Sequence, residues 1–244
     1  MSPDYSQTDN ILLKQMDKRS SDLLAPHLTR MPLHREQRLA EVGQRVEFVY
    51  FPEGGVTSAV AVDGSSRTEV GLIGLEGLVG VSAVLGDDVS QLQMFVQIDG
   101  TTALSIPLEE LRRAMDAHAP LRLLLGRYAS YFLLQVTYGI VSSAQHLMEA
   151  RLARWLLMSH DRMETDDLPL THEFMAMMIS AQRSGVTVTL HTLEGAGMIR
   201  STRGLVTIRD RDKLVELAGD SYGIPEKRYR EMIGPFGKSP TNPS

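Results

Sequence analysis

Residues 170–210 read LTHEFMAMMISAQRSGVTVTLHTLEGAGMIRSTRGLVTIRD. The order predicts a helix, a tight turn, a second helix and a β-hairpin, which is the arrangement of a winged helix-turn-helix and points to DNA. Thr171 is placed to cap the first helix, because its hydroxyl can accept from a backbone N–H that has no partner inside the helix. Phe174, Met177 and Met178 repeat at helical spacing as an expected inner face. In the second helix Val186, Leu190 and Leu193 fall at i, i+4 and i+7, a buried stripe that leaves Ser184, Thr187, Val188 and His191 outward. Arg183 stands at the N-terminal end of that helix, where a recognition helix meets base edges and where Arg to guanine is the commonest specific contact.

The next residues extend the pattern. Gly195 and Gly197 bracket Ala196 where a left-handed helix ending is needed, and Ile199 to Ile208 alternates as a hairpin broken at Arg203-Gly204. Arg200, Arg203 and Arg209 then sit on or beside a small wing able to straddle a phosphate backbone. The bland alternative is that helix pairs joined by short turns are common and that surface arginines on hairpins touch only water.

Together RLARWLLMSHDRM and the 170–210 stretch resemble the C-terminal half of the Crp/Fnr superfamily of bacterial transcription regulators. Upstream, a glycine-punctuated β-rich segment ending in SIPLEELRRAM and followed by a long apolar helix resembles the same family, so the likeness spans residues 10 to 234. It implies an α+β fold with an N-terminal β-roll of the cyclic-nucleotide-binding kind at 1–119, a dimerisation helix at 120–145, a winged helix-turn-helix domain at 146–234 and a flexible tail at 235–244. It also implies a homodimer on a two-fold symmetric site in double-stranded DNA, with RNA polymerase a candidate further partner. On this reading Arg183, Ser184, Thr187, Val188 and His191 face bases, and Thr171, Arg200 and Arg203 face phosphates. Ser184 and Val188 depart from members that carry an acidic residue after the Arg and a basic one a turn later, so the operator should differ.

Composition bounds the rest. The 244 residues are 43% hydrophobic, enough for two cores, and contain no cysteine. That excludes disulfides, thiolate zinc sites, cysteine nucleophiles and the cysteine-ligated cluster by which some relatives sense oxygen. No apolar run approaches a membrane span and MSPDYSQTDN is no signal peptide, so a cytoplasmic protein with no membrane partner is expected. The formal charge of −5 suits a non-specific nucleic-acid binder poorly, yet Arg183 to Lys213 holds six basic residues against three acidic ones. This charge supports the rival reading, a dimeric sensor whose winged helix binds protein and not DNA. The histidines show no metal-ligand spacing, Met175, Met177 and Met178 read as core filler, and no catalytic motif is present, so no metal, cofactor or enzyme activity is expected.

The first ten residues should fray. Asn10 to Ala25 is expected as one helix with Leu12, Leu13, Met16, Leu23 and Leu24 inward, followed by strands from residue 37 with Val46, Phe48 and Tyr50 alternating. Turns are expected at Asp63–Ser66 and Asp99-Gly100, and the strand spacing suggests a roll or barrel. Leu108 to His118 should be helical. From Pro120 to Gln145 the chain is apolar on more than one side, which calls for a second subunit, with Leu123, Leu124, Tyr131, Leu134 and Tyr138 as contacts, the alternative for its Tyr and Phe residues being the lining of a ligand pocket. His146 to Met163 is expected as a helix with Leu147, Leu152, Trp155 and Leu156 inward, METDDLP as a loop, and Asp220 to Gly234 as a helix packed on the DNA-binding domain, with a second dimer contact as the alternative. PFGKSPTNPS should be disordered.

The remaining motif is Gly74-Leu75-Glu76-Gly77-Leu78-Val79-Gly80. Closely spaced glycines let backbone N–H groups approach an anion, so Gly74, Glu76, Gly77 and Gly80 are candidates for an effector pocket, though tight turns need glycine as well. In members that bind cyclic nucleotides the loop ends in a ribose-holding Glu and is followed by a phosphate-pairing Arg. Here Val81 follows Gly80, and Ser90 to Met94 contains no arginine. Cyclic AMP is therefore not the expected effector, whose identity the sequence leaves unknown.

Overall fold

The computed structural model describes residues 7–64, 66–98 and 101–238. The expected turns through Ser65 and at Asp99-Gly100, the first six residues and residues 239–244 lie outside the described residues.

In place of one helix from Asn10 to Ala25 there are two, α1 (Ile11–Lys14) and α2 (Lys18–Leu24). Both have their own cap: Asn10 Oδ1 accepts from the Leu13 amide at 3.0 Å and Asp17 Oδ1 from the Ser20 amide at 2.7 Å. A second helix start thus interrupts the first. The fraying expected up to residue 10 does not hold at Thr8 and Asn10, which are buried. The Asn10 amide donates to the carbonyls of Pro52 and Gly77, each at 2.8 Å.

The N-terminal strands are β1 (Thr29–Leu33), β2 (Arg38–Ala40), β3 (Phe48–Pro52), β4 (Val56–Asp63), β5 (Ser66–Ile73), β6 (Gln93–Ile98) and β7 (Thr101–Pro107). They pair antiparallel into one sheet ordered β1-β7-β3 and a second ordered β2-β6-β4-β5. Val49, Phe51, Leu104 and Ile106 of the first sheet share a core with Ala59, Ile73 and Met94 of the second, the β-roll arrangement. In β3 the phase is opposite to the expected one. Val49 and Phe51 are inside and Phe48 is exposed, because the segment is apolar at both parities and a one-residue shift exchanges the faces. After the glycine loop come α3 (Val81–Val84) and α4 (Leu108–Ala117).

Helix α5 (Ala119–Gln145) runs 27 residues, about 40 Å at 1.5 Å per residue. Leu121, Leu125, Tyr128, Phe132 and Gln135, spaced three or four apart, lie against the β-roll. Gln135 pairs with the edge of β5 as a strand would: its Oε1 accepts from the Leu72 amide at 2.7 Å and its Nε2 donates to the Leu72 carbonyl at 3.1 Å. The other side keeps Leu123, Leu133 and Ile140 exposed at 57%, 68% and 66%.

The remaining elements are α6 (Met148–His160), β8 (Asp167–Leu168), α7 (His172–Met178), α8 (Arg183–Gly195), β9 (Ile199–Thr202), β10 (Leu205–Ile208), α9 (Arg211–Ala218) and α10 (Ile224–Met232). Leu152, Trp155 and Leu156 are inward as expected, but Leu147 is 79% exposed because it stands in the break between α5 and α6. METDDLP is not all loop: Leu168 pairs with Val206, so the wing sheet is β8-β10-β9. Helix α9, which the sequence pattern does not announce, starts at Asp210, whose carboxylate accepts from the Lys213 amide at 3.0 Å.

Helix α10 packs on α5 and the glycine loop, where the Tyr229 hydroxyl donates to the Glu76 carbonyl at 2.6 Å, while the residues just before it pack on the C-terminal elements, the Ser221 carbonyl accepting from Arg154 Nε at 2.9 Å and the Tyr222 hydroxyl from Arg211 at 2.7 Å. The start of the tail is not disordered. Phe236 is buried against Tyr229 and Tyr131, and the Lys238 amide donates to Asp161. Among the described residues no helix is long and apolar enough to cross a membrane.

Candidate nucleic-acid interface and glycine loop

Helix α7 is held at both ends. The Thr171 hydroxyl accepts from the Phe174 amide at 3.2 Å, and the Arg151 guanidinium of α6 donates to the Ile179 carbonyl at the other end, a brace that no local motif announces. The expected inner face is rotated. Met175, Ala176 and Met178 are buried, while Phe174 and Met177 are half-buried. Phe174 turns toward the β-roll and meets Phe95 edge-on, with centroids 6.1 Å apart. A seven-residue helix wedged between α8 and the β-roll sheet needs apolar residues on two sides, which a one-face reading does not foresee.

In α8 Val186, Leu190 and Leu193 are at most 1% exposed, and Arg183, Ser184, Val188 and His191 face solvent. Gly185 allows close approach to α6, since a Cβ there would lie 3.0 Å from the Met148 methyl. Thr187 is half-buried. Its hydroxyl donates to the Arg183 carbonyl at 3.0 Å, and the same oxygen lies 3.0 Å from His172 Nδ1. With the hydroxyl proton committed, the His172 ring must donate from Nδ1. Burial, then Arg183 and His191, holds His172 below the usual imidazole range, so that neutral tautomer dominates near neutral pH. Gly197 ends the helix at φ 74°, and the Met198 amide returns to the Leu193 carbonyl at 3.0 Å.

In the wing, Arg200, Arg203 and Arg209 are exposed. Arg211 belongs elsewhere: it is 9% exposed and donates to Asp161 at 2.6 Å and to the Tyr222 hydroxyl at 2.7 Å. The local positive face is therefore made by Arg183, Arg200, Arg203 and Arg209. Among the histidines His160 is buried, and its Nε2 lies 2.7 Å from Asp166 Oδ1.

The glycine loop is closed. Glu76 is fully buried, its Oε2 accepts from the Gly74 amide at 3.0 Å, and its Oε1 accepts from Arg162 Nε at 3.1 Å and Nη2 at 2.6 Å. Burial weighs against the Arg162 charge, but the Glu76 carboxylate overrides it and raises Arg162 above its ordinary range. A Cβ on Gly77 would overlap the Tyr128 ring, so the space beside the loop is filled by α5. A Cβ on Gly74 would lie 2.8 Å from the Arg162 stem, and Gly80 adopts φ 111° at the start of α3. The four residues expected to line an effector pocket thus line a packed contact. Among the described residues no group of three or more acidic, His or Cys side chains is placed to hold a metal.

Of the expected dimer contacts, Leu123 is exposed and Leu124, Leu134 and Tyr138 are half-buried. Tyr131 is fully buried in its own subunit, because Tyr229 of α10, Phe236 and Arg162 cover it and Gln135 bonds its hydroxyl. Leu133 and Ile140, not singled out from the sequence, are more exposed than any of them.

Residues 150–217 match the Crp-like helix-turn-helix domain family. Over 217 residues the chain is 27% identical to the global nitrogen regulator of Synechocystis sp., covering 85% of this chain and 96% of that protein. A Crp/Fnr family transcriptional regulator from Eubacterium rectale superposes with a TM-score of 0.65 at 19% identity, covering 85% of this chain and 97% of its own. FixK2 from Bradyrhizobium japonicum gives 0.68 at 16% identity, covering 79% and 98%. At such identities the structural likeness speaks for the fold alone. With the β-roll, long helix and wing in that order, the chain has the fold of the Crp/Fnr transcription regulators, and residues 150–217 carry the match to the Crp-like helix-turn-helix domain.

Proposed function

We propose that the chain acts as a homodimer that reads a two-fold symmetric DNA site without cyclic AMP as effector. The observation that carries the reading is the exposed face of α8, bearing Arg183, Ser184, Val188 and His191, with the Arg200 and Arg203 guanidinium groups on the adjoining wing. The N-terminus of α8 has no side-chain cap, so its unpaired N–H groups and positive dipole end suit a DNA phosphate. In this reading residues 1–119 are a sensor domain, 120–145 the dimerisation helix and 146–234 the DNA-binding domain. Arg183 reads guanine and Val188 meets a thymine methyl. Ser184 supplies an adaptable hydrogen bond, His191 lies toward the far end of the contact, and Thr171, Arg200 and Arg203 hold phosphates. The apolar stripe of Leu123, Leu133 and Ile140 supports pairing of α5 with its own copy, and a two-fold symmetric site calls for two recognition helices about 34–36 Å apart.

The buried Glu76–Arg162 pair and the Tyr128 ring support a sensor that does not take cyclic AMP, since the ribose and phosphate would have to displace both. The test is retention of genomic fragments on the purified protein, with and without cyclic AMP. A shared two-fold symmetric motif recovered equally in both conditions supports the reading. Absence of retention at low salt favours a winged helix that binds protein instead.

A further inference from the structure

A cavity of about 420 Å³ lies where four elements meet: β5, the C-terminal half of α5, the scaffold helix α6 and the end of α7 with the turn after it. Its walls include Val70, Val136, Ile140, Met158, Met178 and Ile179. The charged residues lining it are Glu69, Arg151 and Arg154. The volume lies within the usual range of small-molecule sites, roughly 300–1,000 Å³, which combine apolar walls with a few convergent polar groups.

The polar groups are not spent on each other. Arg154 donates Nε to the Ser221 carbonyl at 2.9 Å and Nη2 to the Gln135 carbonyl at 3.3 Å, while Arg151 gives Nη2 to the Ile179 carbonyl. Among the described residues Nη1 of Arg154, and Nε and Nη1 of Arg151, have no protein acceptor. Glu69 is held by Trp155, whose Nε1 donates to Oε1 at 2.6 Å, and by the Ser58 hydroxyl at 2.7 Å. Burial pushes the Glu69 carboxyl up to about 8, against the opposing pull of these bonds and of Arg154 and Arg162. Near neutral pH it therefore carries a proton and does not repel an anion. Two guanidinium groups with spare donors above an apolar wall match one carboxylate on an apolar tail.

We propose that this cavity binds a small amphipathic monocarboxylate, an organic acid with an apolar chain or ring. Such a ligand would lie against Met178, Ile179 and Ser180 at the turn of the helix-turn-helix while also touching the β-roll and the long helix. Ser180 holds φ 49°, a left-handed conformation uncommon for a residue with a side chain, so the turn that sets α8 against α7 is one wall of the site. The site rests on its own walls and not on the DNA reading.

Trp155 lines the cavity and is the single tryptophan of the chain, so its emission reports occupancy directly. The full-length protein is titrated with octanoate, octanol and inorganic phosphate while Trp155 fluorescence and calorimetric heat are followed. A saturable octanoate response, with octanol and phosphate at least tenfold weaker, is expected. Gly139→Phe should abolish it: a Cβ there meets only the Val70 carbonyl, at 3.9 Å, so the ring grows into the cavity, whereas Gly139→Ala should retain binding. Ser143→Phe, one turn further along α5 and exposed, repeats the block if the first variant does not fold. Absence of saturation, equal binding of octanol or phosphate, or binding that survives a folded blocking variant overturns the proposal.

Discussion

Arg162 Nη2 lies 2.6 Å from Glu76 Oε1, and both side chains are wholly withdrawn from solvent. The pair joins the glycine loop of the β-roll to the residue just beyond α6, and Arg162 also donates to the carbonyls of Met158 and Leu72 and lies over the Phe236 ring. Removing one partner of a buried ion pair leaves an uncompensated charge, which costs about 3–5 kcal/mol. Arg162→Met should therefore lower stability by that amount in urea unfolding, and Glu76→Leu combined with Arg162→Met should lose less than Arg162→Met alone. Equal losses for the single and the double change would show that the ion pair is not what the site depends on.

The closed glycine loop also bears on effector response. Tyr128 occupies the space at Gly77, and its hydroxyl reaches the Leu78 carbonyl at 3.4 Å. A ligand that binds only the native state raises its stability by about 2.7 kcal/mol at a hundredfold excess over Kd. Cyclic AMP at millimolar concentration should leave both the melting temperature and the DNA affinity unchanged. A rise of several degrees with increasing nucleotide would place a nucleotide site in the protein.

Glu69 gives a pH signature. Its carboxyl titrates at about 8 in the folded chain against an ordinary value of 4.5. Between those values the folded state holds a proton that the unfolded state has released, so stability falls as pH rises through this window and levels off above it. Each tenfold change in proton affinity between the two states corresponds to about 1.4 kcal/mol. Glu69→Gln should flatten the decline and leave the variant more stable than the parent at pH 8 by at least about that amount. Denaturant midpoints measured from pH 5 to 9 check this, and parallel pH profiles for the two proteins would refute it.

Much of this is legible in sequence because local rules and tertiary packing agree. Thr171, the stripe Val186, Leu190 and Leu193, and Gly197 each obey a rule that needs only near neighbours, and each stands where the rule places it. Legibility fails where a residue answers to two surfaces. Helical spacing assigns Phe174 to the helix-turn-helix core, but it packs on Phe95, 79 residues away in sequence. Tyr131 and Leu133 are both apolar positions on one helix, and the first is inside only because Tyr229 of α10, Phe236 and Arg162, all distant in sequence, close over it. The glycine loop is readable as a loop. Its closure is not, because Tyr128, Arg162 and Tyr229 arrive from three distant segments. Arg151 and Glu69 carry no local motif, and their importance emerges only when α6 is laid against β5 and α7.

If α5 pairs with its own copy, the exposed residues Leu133 and Ile140 carry the contact and Tyr131 does not. Leu133→Glu with Ile140→Glu should shift the protein from dimer to monomer in sedimentation velocity, because two like charges would face each other across an apolar seam. Tyr131→Phe should leave the oligomeric state unchanged while removing the hydroxyl's bonds to Arg162 and Gln135. A dimer that survives the double change would move the interface off this face.

In the proposed reading Arg183 and Arg200 make two different kinds of DNA contact. Arg183 opens α8, where in the proposed reading a fork of N–H donors meets a guanine edge, whereas Arg200 stands on the outer strand of the wing and is proposed to meet backbone phosphate. Arg183→Ala should relax preference at one base pair of each half-site by about 1–3 kcal/mol. Arg200→Ala should weaken specific and random DNA alike and reduce the dependence of log K on log salt by about 0.9 for each phosphate left unneutralised. Binding isotherms on the selected site, on single-base variants and on random duplex at several salt concentrations distinguish the two. The sign of the net charge sharpens the test: at −5 the chain gains little from non-specific attraction, so removal of a base-reading side chain should bring specific binding down close to the random background. If both variants changed specific and random binding to the same extent, α8 would not be reading bases, and the face around Arg183 would have to serve another partner.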